Sequence, residues 1–453
     1  MVANQAQSPS VHHKTVNPLA AKLQLRLDPD QLTNCMRCGF CLPACPTFAE
    51  TGIEAESPRG RIALMKAVAD GIMEPDRAFE EQMNHCLGCR ACEPACPADV
   101  KYGRLLEQAR DAIEDHTERH SIGVKLSRHA AFKKLFPNQK RMKLIGRSLQ
   151  WYQQSGLQKF ARQSGAMKLF PKHMQAMEKI LPEASGQGIV EQIGTRHPAK
   201  GERIATVALF RGCLMDVLFT STNRHTVDLL TEAGFEVVIP EEQNCCGALH
   251  AHSGEAEMAR SLARQNVQVF KDAGVEFIVS NAGGCGALLV EYDHLLHEDP
   301  TWKEDASWFA AHVIDISELL VRHGRLPEFH NEDVSIRITY QDSCHLRNVM
   351  RTSDAPRQLM KQVKGVTYAE MKDADRCCGS AGIYNLTQPE MAGQILDHKM
   401  EHVRDTQAQV LLTSNPGCLL QMKHGIEQHG LRDQMQAVHI VDFLHDHMHP
   451  SRK

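Results

Sequence analysis

The chain has 453 residues, 42% of them hydrophobic and 23% charged, an ordinary globular composition with room for about three domains. A net charge of −4 neither marks a nucleic-acid binder nor excludes one, and no run of about 18 apolar residues is free of charge, so no membrane-crossing helix is expected. The polar start of the chain (Gln5, Ser8, His12) shows no export signal, so its sixteen cysteines point to a reducing compartment and to thiolates committed to metal.

Residues 1–25 are polar without a clear period and read as a mobile arm. A module over 26–115 follows, in which Cys-x2-Cys-x2-Cys-x3-Cys-Pro occurs twice: Cys35, Cys38, Cys41, Cys45 and Pro46, then Cys86, Cys89, Cys92, Cys96 and Pro97. This is the bacterial ferredoxin spacing for two 4Fe–4S clusters. Three thiolates in one loop grip three irons of one cube, and the fourth, turned away by its proline, is left for the other. The expected ligand sets are therefore crossed: Cys35, Cys38, Cys41 and Cys96 on the first cluster, Cys86, Cys89, Cys92 and Cys45 on the second. Zinc would need four ligands, not a third cysteine at fixed spacing and a Cys-Pro.

Between the two loops, Ser57 can cap a helix that Pro58 begins and that Ile62, Met65, Val68 and Ile72 stripe. A second helix starts near Tyr102 and carries Leu105, Leu106, Ala109 and Ile113. Arg59 and Arg61 read either as neutralisers of cluster charge or as plain surface arginines. Two cysteine loops bracketing a helix, with a helix after, resembles the bacterial-type ferredoxin domain of succinate dehydrogenase iron–sulfur subunits.

Residues 116–200 form a basic helical connector. Within 125–179 there are 13 Lys and Arg against one acid, Glu178, interleaved with Phe132, Leu135, Phe136, Leu144, Ile145, Trp151, Tyr152, Phe160, Leu169 and Phe170. Such a stretch can lie on anionic lipid or an acidic subunit, or pack as a solvated linker. No reading motif accompanies the charge, so nucleic acid is not an expected partner.

An internal repeat occupies 201–325 and 330–450. In the first copy, strand 204–210 leads to Cys213, strand 236–239 to Cys245-Cys246-Gly247, and strand 276–280 to Gly284-Cys285-Gly286. In the second, strand 336–340 leads to Cys344, then come Cys377-Cys378-Gly379, a helix over 389–403, strand 410–413 and Gly417-Cys418. The landmarks sit 131, 132 and 133 residues apart, and Val313-Ile314-Asp315-Ile316 is answered by Ile440-Val441-Asp442-Phe443. Strand–helix alternation predicts parallel sheets covered by helices, with four thiols per copy at the carboxyl edge of each sheet. The expected architecture is multi-domain, α+β and α/β: a helical two-cluster domain, then a duplicated α/β pair.

These repeats resemble the CCG domains of heterodisulfide reductase and of respiratory dehydrogenase iron–sulfur subunits. In that family a lone Cys, a Cys-Cys-Gly and a closing Cys-x2-Cys form the motif. Here Ala282 and Asn415 stand where the closing pair would begin, so each copy offers four thiols: Cys213, Cys245, Cys246 and Cys285, and Cys344, Cys377, Cys378 and Cys418. Each set suffices for one further iron–sulfur cluster or one zinc, or it remains reduced buried thiols.

Across the whole chain the order of parts resembles the iron–sulfur subunit of glycolate oxidase, with that of anaerobic glycerol-3-phosphate dehydrogenase as a relative. Cys35-Met36-Arg37-Cys38-Gly39-Phe40-Cys41, Ser57-Pro58-Arg59-Gly60-Arg61, Asp342-Ser343-Cys344-His345-Leu346 and Asn415-Pro416-Gly417-Cys418 favour the glycolate member. The resemblance implies FAD-binding catalytic partner subunits, oxidation of glycolate or lactate to the 2-oxo acid, and electrons leaving towards quinone. It also implies a peripheral place on the cytoplasmic face of the inner membrane. The residues agree in having no dinucleotide fingerprint, no P-loop and no haem motif. Most of the 25 histidines read as solvated surface or satisfied core, with His345 beside Cys344 the one worth weighing as a ligand. Alternatives are a thiol–disulfide enzyme acting at the Cys-Cys-Gly sites, the corresponding iron–sulfur chain of a lactate or glycerol-3-phosphate dehydrogenase, and a zinc-filled scaffold.

Overall fold

The computed structural model describes residues 17–116, 120–170, 172–331 and 335–449. Residues 1–16 of the expected arm lie outside these, but from Pro18 onward the expectation fails. Asn17 caps a helix, Pro18–Arg26, by accepting from the Leu19 amide at 2.9 Å. Leu19, Leu23 and Leu27, four residues apart and so on one face, are buried with Met65, Leu105 and Ala109 in the core of the first domain.

The helix after Ser57 runs Pro58–Ala69, with Ser57 Oγ accepting from the Gly60 amide at 3.0 Å and Ile62, Met65 and Val68 buried. Ile72 lies past its end and is 80% exposed, because the stripe has no helix left to follow. A helix that the sequence pattern does not announce, Arg77–Asn84, is capped by Asp76 and buries Phe79 and Met83. Tyr102–His116 turns Leu105, Leu106, Ala109 and Ile113 inward.

The connector is helical: Ile122–Arg128, a widened turn His129–Leu135, then Gln139–Gln154, Leu157–Gln163 and Lys172–Lys179. Phe132 and Met142 are buried, and Leu135 and Phe136 pack partly behind them. Leu144, Trp151, Phe160 and Leu169 face outward, 61, 65, 66 and 88% exposed.

The two repeats build sheets of the same strand order. In the first, Phe235–Val238, Ala205–Phe210, Phe277–Ser280 and Val313–Asp315 lie side by side and parallel, with Arg196–His197 added antiparallel outside Phe235–Val238. In the second, the order is Val366–Tyr368, Ile336–Gln341, Val410–Thr413 and Gln436–His439, all parallel. The tails correspond three residues away from the sequence match. Asp315 caps the helix Ile316–His323, and His439, not Asp442, caps its counterpart Ile440–Asp446. One apolar core runs through both units, from Leu209 and Leu230 to Ile338, Leu412 and Phe443.

Candidate metal centres

The two cysteine loops of the first domain share a backbone conformation. Arg37 and Gly39 in one, and Gly88 and Arg90 in the other, all have positive φ (55°, 91°, 66° and 59°), at the second and fourth positions after Cys35 and Cys86. Two of the four are non-glycine, a strained choice that the surroundings must hold in place. The conformation wraps each loop around its sulfurs, as the Gly88 amide shows by donating to Cys86 Sγ at 3.4 Å.

Cys96 lines one pocket with Cys35, Cys38 and Cys41, and Cys92 lines it too. Cys45 feels Cys86, Cys89 and Cys92, as well as Cys41 of its own loop. Burial pushes the Cys89 and Cys92 thiols well above their ordinary range, so metal binding here must displace protons that water would not take.

Arg61 is fully buried, contrary to the surface alternative. It donates to Glu56 Oε2 at 2.6 Å, to Gln82 O at 2.9 Å and to Thr47 Oγ1 at 3.2 Å, while His85 Nδ1 meets the other Glu56 oxygen at 2.8 Å. Burial works against its charge, yet Cys86, Cys45 and Glu56 leave its pKa raised. Arg59 reaches Glu54 at 2.7 Å and Arg37 O at 3.0 Å.

In the repeats, all eight cysteines sit beyond the carboxyl ends of the parallel strands. Gly247 and Gly379 have φ of 87° and 88°, and a Cβ there would come within 3.3 Å of Ala259 Cα or 2.7 Å of Ala392 O. Each Cys-Cys-Gly thus needs its glycine both for the turn and for the close approach of a helix. The Gly247 and Ala248 amides donate to Cys245 Sγ and Cys246 Sγ at 3.4 and 3.5 Å, the kind of contact that stabilises thiolate or cluster sulfur.

The second cysteine loop is pressed against the second repeat. His345 Nε2 donates to Gly88 O, Asn348 Nδ2 to Cys89 O and Tyr384 Oη to His85 O, each at 2.9 Å. Cys89, Cys377 and Tyr384 share one dry core with Cys344 packed against it. His345 therefore clamps a loop through Nε2, and burial drops its pKa to about 3, leaving it neutral. In the same way Cys378 and Cys418 share a core with Ala282, and Cys285 packs against it, joining the two repeats.

Three family models match four stretches of the chain: a 4Fe-4S dicluster domain at residues 31–100, the glycolate oxidase iron-sulfur subunit linker region at 123–181, and a cysteine-rich domain twice, at 207–289 and 338–423. A probable glycolate oxidase iron-sulfur subunit of Bacillus subtilis is 50% identical over 436 residues, 95% of this chain and 97% of that protein. The chain belongs to the glycolate oxidase iron–sulfur subunit family. The Escherichia coli glycolate oxidase iron-sulfur subunit is 29% identical over 85% of this chain and 88% of that protein. The lactate utilization protein A of Oceanobacillus iheyensis is 32% identical, but over 53% of this chain and 97% of itself.

The 4Fe-4S dicluster and cysteine-rich matches support iron–sulfur binding by this family member. Among the described residues, the group of three or more ligand atoms lying all within 4.8 Å of one another is His225, His445 and Asp446, not a cysteine set. Tetrahedral zinc with Zn–S of about 2.3 Å needs sulfurs about 3.8 Å apart throughout. Cys213 Sγ approaches Cys245 Sγ at 3.6 Å, and no three sulfurs of their quartet lie all within 4.8 Å of one another. The His225 and His445 rings stack 3.8 Å apart and 8° from parallel, so their lone pairs do not converge, and His225 Nδ1 already meets Asp442 at 2.9 Å. These two histidines tie the repeats together.

Proposed function

We propose that this chain is the electron-transfer subunit of a glycolate (2-hydroxy-acid) dehydrogenase complex. It accepts electrons one at a time from an FAD-binding catalytic partner and passes them towards quinone as glycolate becomes glyoxylate. Cys35, Cys38, Cys41 and Cys96 hold one 4Fe–4S cluster and Cys86, Cys89, Cys92 and Cys45 the second. The sets Cys213, Cys245, Cys246, Cys285 and Cys344, Cys377, Cys378, Cys418 hold further iron–sulfur centres.

The observation that carries this reading is continuity. Cys89 shares one buried core with Cys344 packed against it, and Cys378 shares the next with Cys285 packed against it, so buried side chains link one thiol set to the next. A thiol–disulfide enzyme would need a substrate sulfur to reach Cys378, which is 1% exposed. Purified without oxygen, the chain is expected to be brown, to carry about eight irons or more, and to leave glycolate untouched until a flavoprotein partner is added. Zinc without sulfide, or glycolate oxidation by the chain alone, would overturn the reading.

The outward face of the connector is proposed as the contact with the cytoplasmic side of the inner membrane. Exposed Trp151, Phe160, Leu144 and Leu169 stand among exposed Lys133, Lys134 and Lys140, an apolar surface with basic surroundings. No helix among the described residues is long and apolar enough to cross a bilayer. Lys143 is committed to Glu191 and is left out of the test. Reversing Lys133, Lys134 and Lys140 to Glu should cost about 3 kcal/mol of attraction to anionic lipid, roughly a hundredfold in vesicle affinity. Unchanged sedimentation with phosphatidylglycerol vesicles would reduce this stretch to a linker.

A further inference from the structure

We propose that Lys399 sets the reduction potential of the centre in the second repeat, holding it above that of its twin in the first. This rests on the reading that each four-thiol set carries an iron–sulfur cluster.

Lys399 lies in the interior of the helix Pro389–Asp405 and is 3% exposed. Its ammonium donates to the Asp373 carbonyl, and among the described residues no carboxylate lies within ion-pairing distance of it. The Asp373 carboxylate is turned to His402, 3.4 Å away, and to Arg376, at 3.7 Å, while that of Asp375 is 3.9 Å from Arg347. A buried ammonium without a counter-ion is costly, and such a group survives only where an anion compensates it. Among the groups whose charge it feels, Cys378 and Cys377 come ahead of Asp375 and Asp373, so the anion placed to compensate it is the cluster that the four thiols would hold.

The first repeat is an internal control. Ala259 and Ala392, which underlie the two Cys-Cys-Gly glycines, fix the register of the paired helices at 133 residues. The same offset places Asn266 opposite Lys399. Asn266 is fully buried and neutral, its amide donating to Cys245 O at 3.0 Å and Tyr292 Oη at 3.1 Å, its oxygen accepting from the Asn244 amide at 2.9 Å. One cage thus has an amide where the other has a cation. A fixed positive charge in a dry site favours the state with one more electron.

The test is a redox titration of the anaerobically purified, cluster-loaded full chain, followed by electron paramagnetic resonance. Cys377→Ala identifies the signal of the second cage by removing it. Lys399→Asn, which copies the first repeat, should lower the reduced-to-oxidised ratio of that signal at fixed potential about tenfold, 59 mV for a one-electron couple. The other signals should stay in place. Lys399→Arg should hold the potential, and Asn266→Lys should raise that of the first cage. An unmoved signal in Lys399→Asn, a common shift of every signal, or an equal shift in Lys399→Arg would overturn the proposal while leaving the functional reading intact. If Cys377→Ala removes neither iron nor a signal, the second cage holds no cluster, and the functional reading of that cage falls together with the proposal.

Discussion

Replacing Arg61 with methionine should destabilise the cluster-bearing domain by about 3–5 kcal/mol, the range for removing one partner of a buried ion pair. The guanidinium is fully buried and holds together three separate pieces of chain: Thr47 after the first cysteine loop, Glu56 at the turn before its own helix, and Gln82 before the second loop. Its loss leaves the Glu56 carboxylate buried, with His85 and Gln82 beside it. Methionine fills the volume, so the cost is electrostatic rather than a cavity. Anaerobic denaturant unfolding, followed by circular dichroism and by the visible absorbance of the clusters, would measure it. Adding Glu56→Gln should recover part of the loss, because the stranded charge is then gone. A variant with wild-type midpoint and iron content would show that the pair contributes nothing net.

Replacing Cys45 with serine should remove the cluster of the other loop, about four irons of the chain's total. Cys45 is buried at 7% exposure, and its thiol feels Cys86, Cys89 and Cys92. The loss in Cys45→Ser should match spectroscopically that in Cys86→Ser, while Cys96→Ser should match Cys41→Ser. If Cys45→Ser pairs with Cys41→Ser instead, the ligand sets are uncrossed and each loop serves its own cube.

Much of this molecule is legible in its sequence, for definite reasons. The cysteine spacings and the repeat are local patterns; the strand that leads to Cys213 is a short, largely apolar run, and the one that leads to Cys344 alternates Ile336, Ile338 and Tyr340 with Arg337 and Thr339. The helix Pro58–Ala69 is legible because Ser57, Pro58 and the apolar stripe agree. Pro18–Arg26 carries the same kind of signal in Asn17, Pro18 and the leucines at 19, 23 and 27, but the polar composition around it conceals a nine-residue helix. Arg61 and Lys399 are illegible for a different reason. Their burial depends on segments far along the chain, and nothing near a lysine in a helical stretch reveals that its head will lie in the interior. His345 sits beside a cysteine in sequence, yet its partner is a carbonyl 257 residues away.

The two loops meet the solvent unequally, and this sets an order of failure in air. Cys38 is exposed, flanked by Met36 and Phe40 at 67% exposure each, while Cys86 and Cys92 are buried in the core of their own domain and Cys89 beneath the second repeat. With the proposed clusters in place, molecular oxygen should reach the outer loop's cube first and the inner one later. A solution left open on the bench should bleach in two stages, and the colour that lingers belongs to the sheltered half.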